Sequence, residues 1–320
     1  MLSNNIYCTA CILLLLLRAY RVVDIMAALI TLSSTWRAAS TPAVAPTLVL
    51  VHGLDSSRFT WNPFLSYCDI CSWNTIALDL RGHGESRLGD AATFTAEAVA
   101  ADIHHTLHKH ALVTFPVVLV GHSMGGRVAM QYTDLFPEDL AAVVIEDMDI
   151  TPRQGPAPTD EDWVARRAFS RAFPTWAAAK SELAAWYGED RIDGWREDGR
   201  VFEKEDGTWW SGINPWAQQL ARDEILSGKV SHAVWERAGR HCKERKIPLH
   251  VFVARDKGDF YACNPDSLRE MQACVENAVI TEFPNGSHSI HNTALEAFSA
   301  KVIEIIMQHQ ANLEQRAESF

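Results

Sequence analysis

Val117-Val118-Leu119-Val120-Gly121-His122-Ser123-Met124-Gly125-Gly126-Arg127 is the stretch on which the reading of this chain turns. Four apolar residues, three of them β-branched, suit a strand buried on both sides. The residues after Gly125 (Val128-Ala129-Met130) continue as a helix. Between strand and helix stands G-x-S-x-G. Glycines on both flanks allow a sharp, strained turn that lifts the Ser123 hydroxyl out at the carboxyl end of the sheet. The helix N-terminus behind it offers backbone N–H groups to a developing oxyanion. The five-residue pattern alone matches by chance. With a strand before it and a helix after it, it points to a nucleophile rather than an incidental glycine-rich turn.

Working outward, further short apolar runs lie at Leu48–Val51, Thr75–Leu80, Ala142–Ile145, Leu249–Ala254 and Val279–Phe283. Helix-length segments separate them, among them Thr95–His110, Gly125–Leu135 and Ser267–Glu276. Such alternation predicts an α/β fold with a mostly parallel, doubly wound sheet covered on both faces. It breaks between Thr151 and Arg245. That stretch opens on Pro152, Gly155, Pro156 and Pro158, holds eight of the 11 tryptophans, and shows helix-length segments such as Glu161–Phe173 but no continuous strand run. An insertion of this length between two strands reads as a mainly helical lid. The organisation expected is residues 1–45 as a targeting or anchor segment or an edge strand, 46–150 and 246–320 as two parts of one core, and 151–245 as the lid.

Three further elements carry chemistry. His52-Gly53-Leu54 ends the run at Val51, and a loop here would set the N–H of Leu54 opposite that of Met124, two donors for one tetrahedral oxygen. A simple glycine turn beside a buried histidine is the plainer alternative. The base must be a histidine, and position decides among the 13. His288 follows the last strand in Phe283-Pro284-Asn285-Gly286-Ser287-His288, on a loop at the carboxyl edge, and His291 is the second choice. His104, His105, His108 and His110 share one helical segment, where a pair four apart has the spacing to bind a metal, though a solvated face is expected. His83, in a turn after the second core strand, is read as structural.

In that order, His52-Gly53-Leu54, LDLRGHGES at 78–86, GHSMGG at 121–126 and GSHSIH at 286–291 resemble the α/β-hydrolase superfamily over about residues 45–315. Within it the chain is similar to small bacterial esterases and mitochondrial abhydrolase-type serine hydrolases. The resemblance implies the α/β-hydrolase fold, a Ser-His-acid triad and no cofactor or metal. It also frames the choice of acid. Most members place it after the strand that follows the lid, here Arg255-Asp256-Lys257-Gly258-Asp259, where Gly258 stands at the usual acid position and Asp256 and Asp259 remain alternates. The esterase-like subgroup takes it from the end of the preceding strand, which favours Asp147; a carboxylate capping the lid's first turn is the other use for that residue. A serine at the elbow excludes mechanisms that need an aspartate nucleophile there. The activity implied is hydrolysis of an ester or thioester through an acyl-enzyme. A slow or non-hydrolytic ligand receptor on the same fold, and a lyase or carbon–carbon bond hydrolase, are the competing readings.

Composition bounds the partners. With 320 residues, 48% hydrophobic and 22% charged, the chain can bury a full core. Its net charge of −11, without long charge blocks, argues against nucleic acid. The lid's tryptophans suit a small substrate with an apolar group. Trp209, Trp210 and Trp216 follow the turn signal Asp206-Gly207, where a small hairpin or loop is a candidate to press aromatic surface over Ser123, although lid core is the plainer use for most of them. The C-x-x-C pairs Cys8/Cys11 and Cys68/Cys71 lack partner pairs at zinc-site spacing and read as reduced thiols. The apolar run Ile6–Leu17 is short for a membrane span and has no preceding positive charge. Met26–Thr47 holds no acidic residue, as an organelle transit segment would, while Leu29–Thr35 also reads as an edge strand. Location in a mitochondrion or plastid, or in the cytoplasm, therefore stays open, with membrane contact only through this segment.

Overall fold

A computed structural model describes residues 28–40, 46–67, 72–153, 155–196, 198–256 and 262–318. The apolar run from Ile6, both C-x-x-C pairs and Asp259 lie outside the described residues. Along the chain run β1 (Ser34–Arg37), β2 (Leu48–Val51), α1 (Asn62–Ser66), β3 (Thr75–Leu78), α2 (Ala96–Lys109), β4 (Val117–His122), α3 (Met124–Leu135) and β5 (Leu140–Glu146). Next come α4 (Asp160–Ala168), β6 (Ala172–Phe173), α5 (Trp176–Tyr187), α6 (Glu189–Ile192), β7 (Val201–Glu203), β8 (Trp209–Ser211) and α7 (Pro215–Ala221), which passes into a π-helical turn at Arg222–Leu226. The chain returns through α8 (His232–Arg245), β9 (Leu249–Ala254), α9 (Pro265–Cys274), β10 (Val279–Phe283), α10 (Ile290–Thr293) and α11 (Leu295–Glu318). No helix among the described residues is long and apolar enough to cross a membrane.

The main sheet has seven strands in the order β1-β3-β2-β4-β5-β9-β10. β1 pairs antiparallel to β3, and every other pairing is parallel. The continuous apolar runs of β2, β3, β4, β5 and β9 are buried along their whole length, as strands covered on both faces must be. One face packs against α2, α3 and α8 through Ile103, Val128, Trp235 and their neighbours. The other packs against α1 and α11 through Trp61, Phe64, Phe298 and Val302. The expected edge strand Leu29–Thr35 forms later, at Ser34–Arg37. The Ile30 N–H donates to the Asp102 carboxylate (2.8 Å) and the Leu32 N–H to Thr106 Oγ1 (2.9 Å), so the chain first lies along α2 instead of pairing with a strand.

Two expectations about the insertion need correction. It does contain strands: β7 and β8 pair as a hairpin across the Asp206-Gly207 turn signal, and with β6 they form a small antiparallel sheet. At two or three residues each, they are too short to leave a periodic signal. Its C-terminal limit also falls before Arg245. Phe173, Leu183, Ile192, Trp195, Val201, Trp209 and Ile213 form the lid's own core. From Ala221 onward the apolar side chains (Ile225, Leu226, Val230, Trp235) join the core of the body, and α8 packs on α3. The lid docks on the turn after β3. Trp210 Nε1 donates to the Gly84 carbonyl (3.0 Å), Arg171 donates to the same carbonyl and to that of Ser211, and the Gly84 N–H donates to the Gly212 carbonyl (2.7 Å).

Candidate active site

The strand order places the chemistry. β4 is flanked by β2 on one side and β5 on the other, so the turn bearing Ser123 lies between the His52-Gly53-Leu54 loop and Glu146-Asp147. Ser123 has φ 52° and ψ −120°, a strained backbone for a residue with a Cβ. The turn is tight enough that a Cβ on Gly121 would strike the Gly125 carbonyl, and one on Gly125 would come within 2.5 Å of the Val51 carbonyl oxygen. The Ser123 N–H donates to the Glu146 carbonyl (2.8 Å), which ties the turn to the neighbouring strand.

His288, on the loop after β10, brings its Nε2 to 2.9 Å from Ser123 Oγ and its Nδ1 to 2.7 Å from Asp147 Oδ2. Asp147 is fully buried just beyond β5, with φ 46°. Its N–H donates to the Phe252 carbonyl (2.8 Å), and its Oδ1 accepts from the Ala254 N–H (3.0 Å), so β9 holds the carboxylate by both backbone and side chain. Of the other acid candidates, Asp256 is exposed, with its N–H donating to the Gly286 carbonyl (3.0 Å), and among the described residues Asp147 is the carboxylate that meets the ring. This arrangement orients the imidazole and leaves its Nε2 to accept a proton from the serine. The His288 side chain is 34% exposed, so the site opens to solvent on that side.

Donors for a developing oxyanion lie next to it. The N–H groups of Leu54 and Met124 have no acceptor among the described residues. His52 aims the first of them. Its Nδ1–H donates to the Gly53 carbonyl (2.7 Å) and its Nε2 accepts from the Leu80 N–H (3.0 Å). In a planar trans peptide the carbonyl and N–H point opposite ways, so pinning the Gly53 carbonyl sets the direction of the Leu54 N–H. Burial holds the His52 ring neutral, its pKa lowered to about 4. His83 is likewise buried, its ring 5.3 Å from that of His52 and its Nδ1 3.1 Å from the Arg81 carbonyl.

A buried layer behind the serine was only partly visible in the sequence. His291, the second-choice base, is fully buried with its ring over Trp61 (4.2 Å between centroids). Its backbone N–H and Nδ1–H both donate to Glu146 Oε1, at 2.8 Å each, and Nε2 accepts from Thr60 Oγ1 (2.9 Å). His122 Nε2–H donates to the His288 carbonyl (2.9 Å). Burial lowers the pKa of His122 and of His291 to about 3 and raises that of Glu146 to about 7. His122, Glu146 and His291 are close enough to hold a metal. Both ring nitrogens of His291 and Nε2 of His122 are engaged in hydrogen bonds, whereas the buried Nδ1 of His122 has no partner among the described residues. The signal for this layer was the second histidine of GSHSIH and the paired Glu146-Asp147.

Of the tryptophans expected over Ser123, Trp209 and Trp210 serve the lid itself and its seam, and Trp216 lies at the start of α7. Trp209 is buried in the lid core against Trp176 (5.4 Å) and under Arg196. Trp210 forms the seam with Gly84, between Arg171 and Lys204. Trp216 is half-buried at the start of α7, with Arg167 5.6 Å above its ring. A side chain the sequence did not single out does meet the lid beside the oxyanion loop. Asp55, directly after Leu54, has its carboxyl pushed up by burial, opposed by Arg222, Arg191 and Arg200.

A sequence profile of the alpha/beta hydrolase family matches residues 48–301, which include every element of this site. The chain belongs to that family. As an alpha/beta hydrolase it is 31% identical over 121 residues to protein phosphatase methylesterase 1 of Bos taurus, covering 37% of this chain and 32% of that protein. It is 35% identical over 102 residues to 2-succinyl-6-hydroxy-2,4-cyclohexadiene-1-carboxylate synthase of Serratia proteamaculans, covering 32% and 38%. The chain thus spans about a third of the length of these curated relatives. Among solved structures, a marine microorganism esterase superposes with a TM-score of 0.65 over 86% of this chain and 99% of its own, at 18% identity, which speaks to the fold alone.

Proposed function

We propose that this alpha/beta hydrolase is a serine hydrolase that cleaves a carboxylic ester or thioester bearing an apolar group. The observation that carries the reading is the single imidazole bridging Ser123 Oγ at 2.9 Å and Asp147 Oδ2 at 2.7 Å. His288 Nε2 takes the Ser123 proton as Oγ attacks the substrate carbonyl. The N–H groups of Leu54 and Met124 hold the oxyanion, and Asp147 accepts the Nδ1–H and stabilises the imidazolium. The imidazolium returns its proton to the departing alcohol or thiol. Water, deprotonated by the same ring, then releases the acid from Ser123. For the apolar group, support comes from the tryptophan-rich composition of the lid.

The test is a panel of p-nitrophenyl esters of increasing chain length and acyl-CoA thioesters, turned over by wild type and Ser123→Ala. Activity should fall to background in the variant. Turnover that persists removes Ser123 as the nucleophile. The Serratia relative's name, a synthase, favours a second reading in which the same serine and histidine serve a lyase or carbon–carbon bond reaction. Failure of the whole panel with a reactive Ser123, seen as labelling by a fluorophosphonate, would favour that alternative.

A further inference from the structure

Far from the serine, the structure assembles a second group of side chains that ester chemistry does not use. His104 and His108 lie four residues apart on α2 and so present their rings on one face. Their centroids are 4.1 Å apart. Both rings are held from outside: His104 stacks on Phe136 (4.0 Å, 10° between planes) and His108 on Phe115 (4.4 Å, 22°). Their free nitrogens converge on one carboxylate, that of Asp139 in the turn before β5. Nδ1 of His104 is 2.8 Å and Nε2 of His108 is 3.2 Å from Asp139 Oδ2. The same oxygen accepts from the buried Tyr132 hydroxyl on α3 at 2.6 Å. The carboxylate is buried and held from beneath, while the two imidazoles are 31% and 46% exposed, so the cluster is open on one side only.

We propose that His104, His108 and Asp139 form a zinc site. As a purely hydrogen-bonded cluster, it crowds three donors onto one carboxylate, with His108 Nε2 shared between Oδ2 and Oδ1 (3.3 Å), and needs each ring to carry its proton on the inward nitrogen. A divalent ion takes the place of both inward protons, which move to the outer ring nitrogens, and is bound by lone pairs that point at a common place. Ligand atoms of the three residues lie within 4.8 Å of one another. Two imidazoles, one carboxylate and an open fourth position for water match the borderline N/O preference of zinc; calcium and magnesium call for oxygen sets. Tyr132 would orient the carboxylate from the protein side, as outer hydrogen bonds do at metal sites. α3 begins at Met124 and ends at Leu135 beside this cluster, so the ion would sit about 18 Å along that helix from Ser123. Its role there is to clamp α2 to the far end of α3, not to join the hydrolysis.

The experiment uses the full chain, stripped with EDTA and titrated with zinc chloride against a chromogenic zinc indicator. Wild type is compared with His104→Gln, His108→Gln and a control, His232→Gln, at the exposed His232–Glu270 pair. Wild type and the control should each bind one zinc more tightly than either α2 variant, by tenfold or more. Cobalt should give visible absorption bands in wild type that are lost in His108→Gln. Zinc a hundredfold above its Kd should raise the wild-type Tm by about 5 °C. Melts of the metal-free variants that superpose on wild type establish that they are folded. Equal zinc binding by wild type and both α2 variants, or none by any of them, overturns the proposal. None of these readouts depends on the ester reading of the serine site.

Discussion

Asp147→Asn tests the triad most sharply, because the structure restricts how the amide can sit. In the native protein Oδ1 accepts from the Ala254 N–H at 3.0 Å, and Oδ2 accepts from His288 Nδ1–H at 2.7 Å. If the asparagine keeps its oxygen on Ala254, its NH2 faces His288. The ring must then move its proton to Nε2, where it points at Ser123 and cannot act as a base. That tautomer costs on the order of 10⁴ in kcat in the general template, about 5 kcal/mol. If the amide flips, its NH2 faces the buried Ala254 N–H, donor against donor. Two unsatisfied buried groups cost roughly 2–6 kcal/mol, and the flipped oxygen still lacks the carboxylate's charge. Both routes leave little activity, so kcat/KM on a short p-nitrophenyl ester should fall by about 10³ or more. The Tm should change by only a few degrees, since the Ala254 bond survives. A loss of less than tenfold, or an equal loss in Asp256→Asn or Asp259→Asn, would refute the assignment of the acid.

Acidification should unfold the protein early. Burial holds His52 and His250 at about 4 and His83, His122 and His291 at about 3, against 6.5 in the unfolded chain. The unfolded state therefore binds more protons as pH falls below 6.5, and each of these histidines costs about 2 kcal/mol of stability by pH 5. Glu146, raised to about 7 from 4.5, acts the other way between those values and offsets only part of the loss. The Tm measured by calorimetry should drop by more than about 10 °C from pH 7 to pH 5. A Tm constant across that range would contradict the neutral buried rings. At the lid seam, Trp210→Phe removes the indole bond to the Gly84 carbonyl and weakens the stacking of Arg171 and Lys204. Limited proteolysis should cut within 160–213 several-fold faster, with KM raised more than kcat is lowered. Unchanged cleavage would mean the seam is held elsewhere.

What could be read in advance, and what could not, divides along the range of the interactions. β4, the elbow and α3 were legible because the strand, the glycines and the helix follow one another directly. The placement of His288 and of the Leu54 loop beside Ser123 was legible because strand ends in a parallel sheet share one edge. Asp147 needed the resemblance to esterases, since Asp256 and Asp259 stood at an equally suitable strand end. The lid was misread at finer scale. β6 and β8 are two and three residues long, and a tryptophan count implies burial without saying against what, so Trp209 and Trp210 were assigned to the cleft when they serve the lid core and its seam. α8 carries an apolar stripe of Val234, Trp235, Ala238 and Cys242 that would suit a lid or a body equally. His104 and His108 met a carboxylate 35 and 31 residues away, at a distance no local pattern reports.

The end of β5 supplies two adjacent carboxylates, and the loop after β10 supplies two histidines three residues apart. Glu146, the last residue of the strand, points into the buried layer and takes His291. Asp147, turned by its positive φ, takes His288 on the cleft side. Side chains next to each other at a strand end diverge, so the two acids grip one loop at two points, His288 before α10 and His291 within it. An unaccompanied buried carboxylate such as Glu146 would be costly. Here it collects the His291 backbone N–H and ring N–H, while His122 holds the His288 carbonyl. The 2.9 Å separation of His288 Nε2 from Ser123 Oγ is therefore set by the β4, β5 and β9 ladder rather than by the loop's own stiffness.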